Sequence, residues 1–121
     1  MIAPNISPDP ETGADKWSDD MFVRSIREGV GHDGRAVTYM PYWTFASLSD
    51  EDLASAIEYL RSVPPIKNKL PQRYMSEEFE KSMQDEPRMR IDAVPEPDNS
   101  SNLAIGKYLI TIGECEGCHT G

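Results

Sequence analysis

The sequence predicts a mainly α-helical protein with ordered loops and a proline-rich linker. Three observations carry this prediction. Two apolar stripes recur at helical spacing, each behind a serine and an acidic first turn; six of the ten prolines gather between residues 64 and 102; and an apolar segment returns at Leu103.

The first helix opens at Ser18, a good N-cap, with Asp19 and Asp20 at the positive end of the helix dipole. Phe22, Ile26 and Val30 follow at helical spacing, and Gly29 and Gly31 mark the stop. Next comes a polar turn around His32. Residues 36–45 then centre on Met40-Pro41-Tyr42-Trp43. Pro41 biases Met40 towards extended backbone, so this stretch reads as an ordered aromatic loop and not as a pair of strands. The second helix opens at Ser49 with Asp50, Glu51 and Asp52 in its first turn. Leu53, Ile57 and Leu60 form its stripe, Tyr59 lies beside it, and Pro64-Pro65 ends it. Residues 64–102, proline-rich with interleaved charges, have the composition of a linker or of an arm lying on a partner surface. A short helix from Ser76 to Met83 fits there, capped by Ser76 and anchored by Phe79. Leu103, Gly106, Tyr108, Leu109 and Ile110 suit a packed helix that leads directly into Cys115. No internal repeat is present.

A chain of 121 residues is enough for one small domain or parts of two. Hydrophobic residues make up only 38%, a modest supply that a bulky cofactor in the core would relieve. The net charge of −9 argues against nucleic acid, whose phosphates require Lys/Arg clusters, and is read as serving solubility. No apolar run approaches the roughly 20 residues that span a bilayer. The opening Met1-Ile2-Ala3-Pro4-Asn5 has neither the charged region nor the apolar region of a signal peptide.

The two cysteines lie two residues apart, which excludes a disulfide framework between distant parts of a fold. Four readings remain for Cys115-Glu116-Gly117-Cys118-His119: redox thiols, half a zinc site, a strained local disulfide, or covalent haem attachment. In the last, two thiols at this spacing add to the vinyl groups of haem and the adjacent imidazole binds iron. Zinc would need Cys115, Cys118, His119 and His32 together, with no second CxxC to help. A thioredoxin-like motif would sit at a strand-to-helix turn, whereas a helix precedes this one. Haem attachment is the favoured reading. It normally takes place outside the cytoplasm, so either a signal would lie upstream of these residues or they are a piece of a longer chain.

An electron-transfer haem needs a sixth ligand. Of the six methionines, Met1 is terminal, Met21 lies in a first helical turn, and Met75, Met83 and Met89 lie in the charged linker. Met40 differs, being stiffened by Pro41 and flanked by Tyr39, Tyr42 and Trp43. Its competing role is a gap-filling core methionine. His32, in a polar turn, is the weaker candidate ligand.

The segments Pro4-Asn5-Ile6-Ser7-Pro8-Asp9, Trp17-Ser18-Asp19-Asp20, Arg27-Glu28-Gly29, Met40-Pro41-Tyr42 and Leu48-Ser49-Asp50-Glu51-Asp52-Leu53 resemble a bacterial class I cytochrome c domain. The resemblance is to the multihaem cytochrome subunits of membrane-bound alcohol, aldehyde and sugar-acid dehydrogenases. It implies cytochrome c-like helices around haem c, with Met40 as distal iron ligand, His119 as proximal ligand, Cys115 and Cys118 as covalent attachments, and Trp17 and Tyr42 packing near the cofactor. Residues 103–121 resemble the opening of another such domain.

In that family the CxxCH precedes the methionine, and here the order is reversed. The simplest division is therefore 1–66 as the C-terminal part of one domain, 67–102 as linker, and 103–121 as the N-terminal helix and CxxCH of the next. His119 and Met40 would then serve different haems. The alternative is a permuted domain in which the helix 103–114 folds back against residues 53–59. The resemblance implies an electron carrier and not an enzyme, periplasmic or on the outer face of the cytoplasmic membrane. Its partners would be a membrane-bound dehydrogenase, a quinone-linked enzyme or a terminal oxidase. A zinc-binding or non-haem interaction module, or a fragment that binds haem only with the rest of its parent chain, is the alternative.

Overall fold

The structure, a computed structural model, describes residues 3–37, 39–71, 75–85, 88 and 90–120; Met1, Ile2 and Met89, named above, and the last residue of the 103–121 segment lie outside these. The described residues are helical with no strand beyond one isolated bridge, the mainly α class that the sequence predicts.

Ser18 caps α1 (Asp19–Val23), its hydroxyl accepting from the Met21 N–H at 3.2 Å. The helix then widens into a π-helical turn, Arg24–Glu28, and stops at Gly29, whose φ of +66° is the left-handed conformation that favours glycine. This departs from a uniform helix carrying Val30 on its stripe. The extra residue per turn buries Arg27 and Glu28, while Val30 leaves the helix and bridges Ala36. Polar partners offset that burial. Arg27 donates to Asp50 at 2.5 Å and to the Leu48 carbonyl, and Glu28 accepts from Arg24 at 3.3 Å and from the Ile91 N–H at 3.1 Å.

After Pro41 the expected loop contains one helical turn, α2 (Tyr42–Phe45), started by the Pro41 carbonyl accepting from the Thr44 and Phe45 N–H groups at 3.0 and 3.1 Å. Helix α3 (Asp50–Ser62) is capped by the buried Ser49, and its stripe delivers Leu53 and Ile57 to the interior. Ala14, Phe22, Leu53 and Ile57 form the core, with Trp17, Val23, Ile26, Leu48 and Leu60 packed around it.

The N-terminal loop is tied to the extended segment that follows α3. Asn5 donates to the Ile66 carbonyl at 2.8 Å, and the Asn68 N–H donates to the Thr12 hydroxyl at 2.9 Å. Within the loop, the hydroxyl and N–H of Thr12 hold the Asp9 carboxyl below its ordinary 3.8.

Helix α4 (Glu77–Gln84) is present with Ser76 as its cap, but Phe79 is exposed, so its anchoring is slight; Glu80 reaches Arg35 at 3.5 Å. Helix α5 (Asn102–Ile112) also forms, yet none of its residues is buried, and Leu103 is 85% exposed. The packed helix that its apolar residues predict is therefore only edge-docked. Tyr108 provides one attachment: its hydroxyl accepts from the Ser49 N–H at 3.0 Å and donates to Asp52 at 2.5 Å. Helix α5 touches α2 and this end of α3 without lying along Leu53–Tyr59. No helix among the described residues is long and apolar enough to cross a membrane.

Candidate functional site

Helix α5 ends at Gly113, and Glu114 takes the left-handed conformation (φ 55°), turning the chain sharply into α6 (Cys115–His119). A side chain at position 113 would collide with the Leu109 carbonyl at 2.9 Å and press on the Cys115 sulfur at 3.4 Å, so the bend is built around glycine. Within α6, positions i, i+3 and i+4 share one face, which puts Cys115, Cys118 and His119 side by side. Both thiols are free, and all three side chains are exposed.

The disulfide and zinc readings of the motif gain no support from this geometry. Cys115 and Cys118 are not joined, and no three His, Cys, Asp or Glu side chains among the described residues gather as a metal-holding group. His32, the fourth member of the conceivable zinc set, stacks on Trp17 with ring centroids 4.3 Å apart. Trp17 also packs on Phe22 at 5.3 Å, which makes it a lid on the core.

Met40 is half-buried in a bend, and its carbonyl accepts from the Tyr42 N–H at 2.8 Å across Pro41. Tyr42 is half-buried, edge-on to Trp43 at 5.2 Å, with the Arg88 guanidinium 4.2 Å above its ring centre. Trp17 and Tyr42 therefore belong with Met40 to the first half of the chain. Among the described residues, helix α6 touches only α5 of the helices, so Cys115, Cys118 and His119 are not brought to α2, which begins two residues after Met40.

Two side chains at these positions escaped the sequence reading. Arg88 lies in a charged, aperiodic stretch that carries no signal for a stacking partner. Tyr108 was legible as part of a helix, but not as a hydroxyl partner of Ser49 and Asp52.

No protein-family model matches the chain. It is 33% identical to one of the subunits of the nicotinate dehydrogenase of Pseudomonas putida over 99% of its own length, which is 11% of that protein. Against the cytochrome c subunit of the quinone alcohol dehydrogenase of Gluconobacter oxydans the identity is 32%, over 99% of the chain and 27% of the relative. The chain is homologous to cytochrome c subunits of dehydrogenases. This cytochrome c homologue is also 29% identical to the gluconate 2-dehydrogenase cytochrome c subunit of Pantoea cypripedii, again over 99% of the chain and 29% of the relative. It thus spans less than a third of the length of each of these curated relatives.

For a cytochrome c homologue the donor set can be tested chemically. Covalent haem attachment needs two unpaired thiols one helical turn apart and an imidazole on the same side. Cys115, Cys118 and His119 meet all three requirements, so the residues present fit the group.

Proposed function

We propose that this chain carries electrons through covalently bound c-type haem as part of a multihaem cytochrome subunit. The observation that carries the reading is the exposed face of α6, with two free thiols beside an imidazole, in a chain homologous to cytochrome c subunits over 99% of its length.

Cys115 and Cys118 hold the haem through thioether bonds, and His119 ligates its iron through one ring nitrogen. The thioether of Met40 ligates a different haem, with Trp17 and Tyr42 packed nearby. Bound haem supplies a one-electron iron couple whose potential follows its axial ligands and burial. The protein residues hold and shield, and none is required as a general acid, base or nucleophile. Residues 1–66 are the C-terminal part of one cytochrome c domain, 67–102 the linker, and 103–121 the start of the next. Supporting this division, α6 stands apart from α2, and the apolar sides of α5 lack a covering element among the described residues. The partner is a dehydrogenase outside the cytoplasm, with a quinone-linked enzyme or a terminal oxidase beyond it, and the chain itself is a non-catalytic carrier.

Mass spectrometry of the mature protein from its native host tests the claim. The peptide containing Cys115 and Cys118 is expected to carry one haem, with a matching pyridine haemochrome spectrum. Unmodified thiols with stoichiometric zinc would overturn it.

A further inference from the structure

Arg88 and residues 90–94 lie strapped across the first half of the molecule. The Ile91 N–H donates to Glu28 at 3.1 Å, the Val94 N–H donates to the Asp50 carboxylate at 3.3 Å, and the Asp50 N–H donates to the Val94 carbonyl at 2.9 Å. Arg90 adds a weaker pairing with Asp20 at 3.8 Å.

At the head of this strap the guanidinium nitrogens of Arg88 are buried, and the group lies over the Tyr42 ring. The ring, the guanidinium and the backbone of Gly29 meet at one point. A Cβ on residue 29 would fall 2.6 Å from the Tyr42 ring and 2.9 Å from the Arg88 guanidinium. Tyr42 is in turn hydrogen-bonded to the Met40 carbonyl across Pro41. Any swing of the Met40 turn away from the body must therefore pull an aromatic face off a desolvated cation. A cation–π contact of this kind is strongest when water is excluded.

We infer that Arg88 is a positioning residue for the distal haem ligand: by stacking on Tyr42 it clamps the Met40-Pro41-Tyr42 turn, so that the strap helps to hold the thioether on iron. The inference rests on Met40 being that ligand. Arg88 touches neither iron nor haem in this scheme and acts through Tyr42.

The test uses the full-length, haem-loaded protein and free imidazole as a competitor for the distal position. Loss of the weak far-red methionine–iron band of the oxidised protein is the readout. Met40→Ala should abolish the band of its haem before any imidazole is added; if the band persists, the ligand assignment itself fails. Given that loss, Arg88→Gln should bind imidazole about tenfold more tightly than the parent, because the clamped state no longer competes as well. Arg88→Lys, which keeps a cation over the ring, should stay within about twofold of the parent. Parental affinity in Arg88→Gln, or equal tightening in Arg88→Lys, overturns the clamp while leaving Met40 as ligand. Should Arg88→Gln not accumulate, Tyr42→Leu removes the ring and must show the same tightening; parental affinity there also overturns the inference.

Discussion

Arg27 is 3% exposed, and a buried guanidinium persists only where its charge is met. Asp50 meets it at 2.5 Å, and the Leu48 carbonyl takes a second donor. The Arg27 guanidinium, together with the Val94 N–H, holds the Asp50 carboxyl below its ordinary 3.8. A depressed carboxyl stabilises the fold fully above its unfolded value and loses that contribution as pH falls through its folded value. Asp50→Asn should therefore flatten the decline in stability of the haem-loaded protein below about pH 4, read from denaturant midpoints at successive pH values. An unchanged acid slope would show that the pair contributes nothing. The burial of Arg27 was illegible beforehand because helical periodicity assumes 3.6 residues per turn, and the π-turn breaks that count. Phe22, Leu53 and Ile57 were legible because they lie on regular stretches of α-helix.

At the scale of elements, the helix starts are the most local feature of this chain. Ser18, Ser49, Ser76 and Ser101 each accept from the N–H three residues on, at 3.2, 3.1, 3.3 and 3.2 Å. Such a cap needs only a short polar side chain and extended backbone, so three of the four were readable from sequence. Ser49→Ala should destabilise the haem-loaded protein by about 1 kcal/mol, seen as a lower urea midpoint with an unchanged slope. Helix α2 shows the opposite case. Four residues cannot repay helix nucleation by themselves, so the turn after Pro41 depends on its surroundings and had no sequence signature. The C-terminal bend likewise depends on Glu114 in a left-handed conformation, which side-chain identity does not announce.

At the scale of the whole molecule, the core cluster of Ala14, Phe22, Leu53 and Ile57 is slender for the described residues. Ordering each residue costs about 1–2 kcal/mol, and a core so small offsets little of it. Blocking haem attachment with the double substitution Cys115→Ser and Cys118→Ser should leave a chain that melts broadly, without a sharp transition, in circular dichroism. A single steep transition would mean that this core suffices. The linker also takes on a definite place at this scale. Its composition reads as an arm for a partner surface, yet residues 90–94 lie on the π-turn and the start of α3 of the same chain.

Sequence alone determined what is short-range: the helix class, three of the serine caps, the apolar stripes, and the five-residue spacing of two thiols and an imidazole; that these three share one helical face came from the structure. Those depend on spacing along a few residues. Only the tertiary structure decided the π-turn that buries Arg27, the Tyr108 contact with α3, and the seat of Arg88 on Tyr42 beside Gly29. Each of these joins groups tens of residues apart, or rests on backbone angles that several sequences could adopt. Their partners are chosen by which polar groups remain unsatisfied once the chain has packed, and no local pattern encodes that choice.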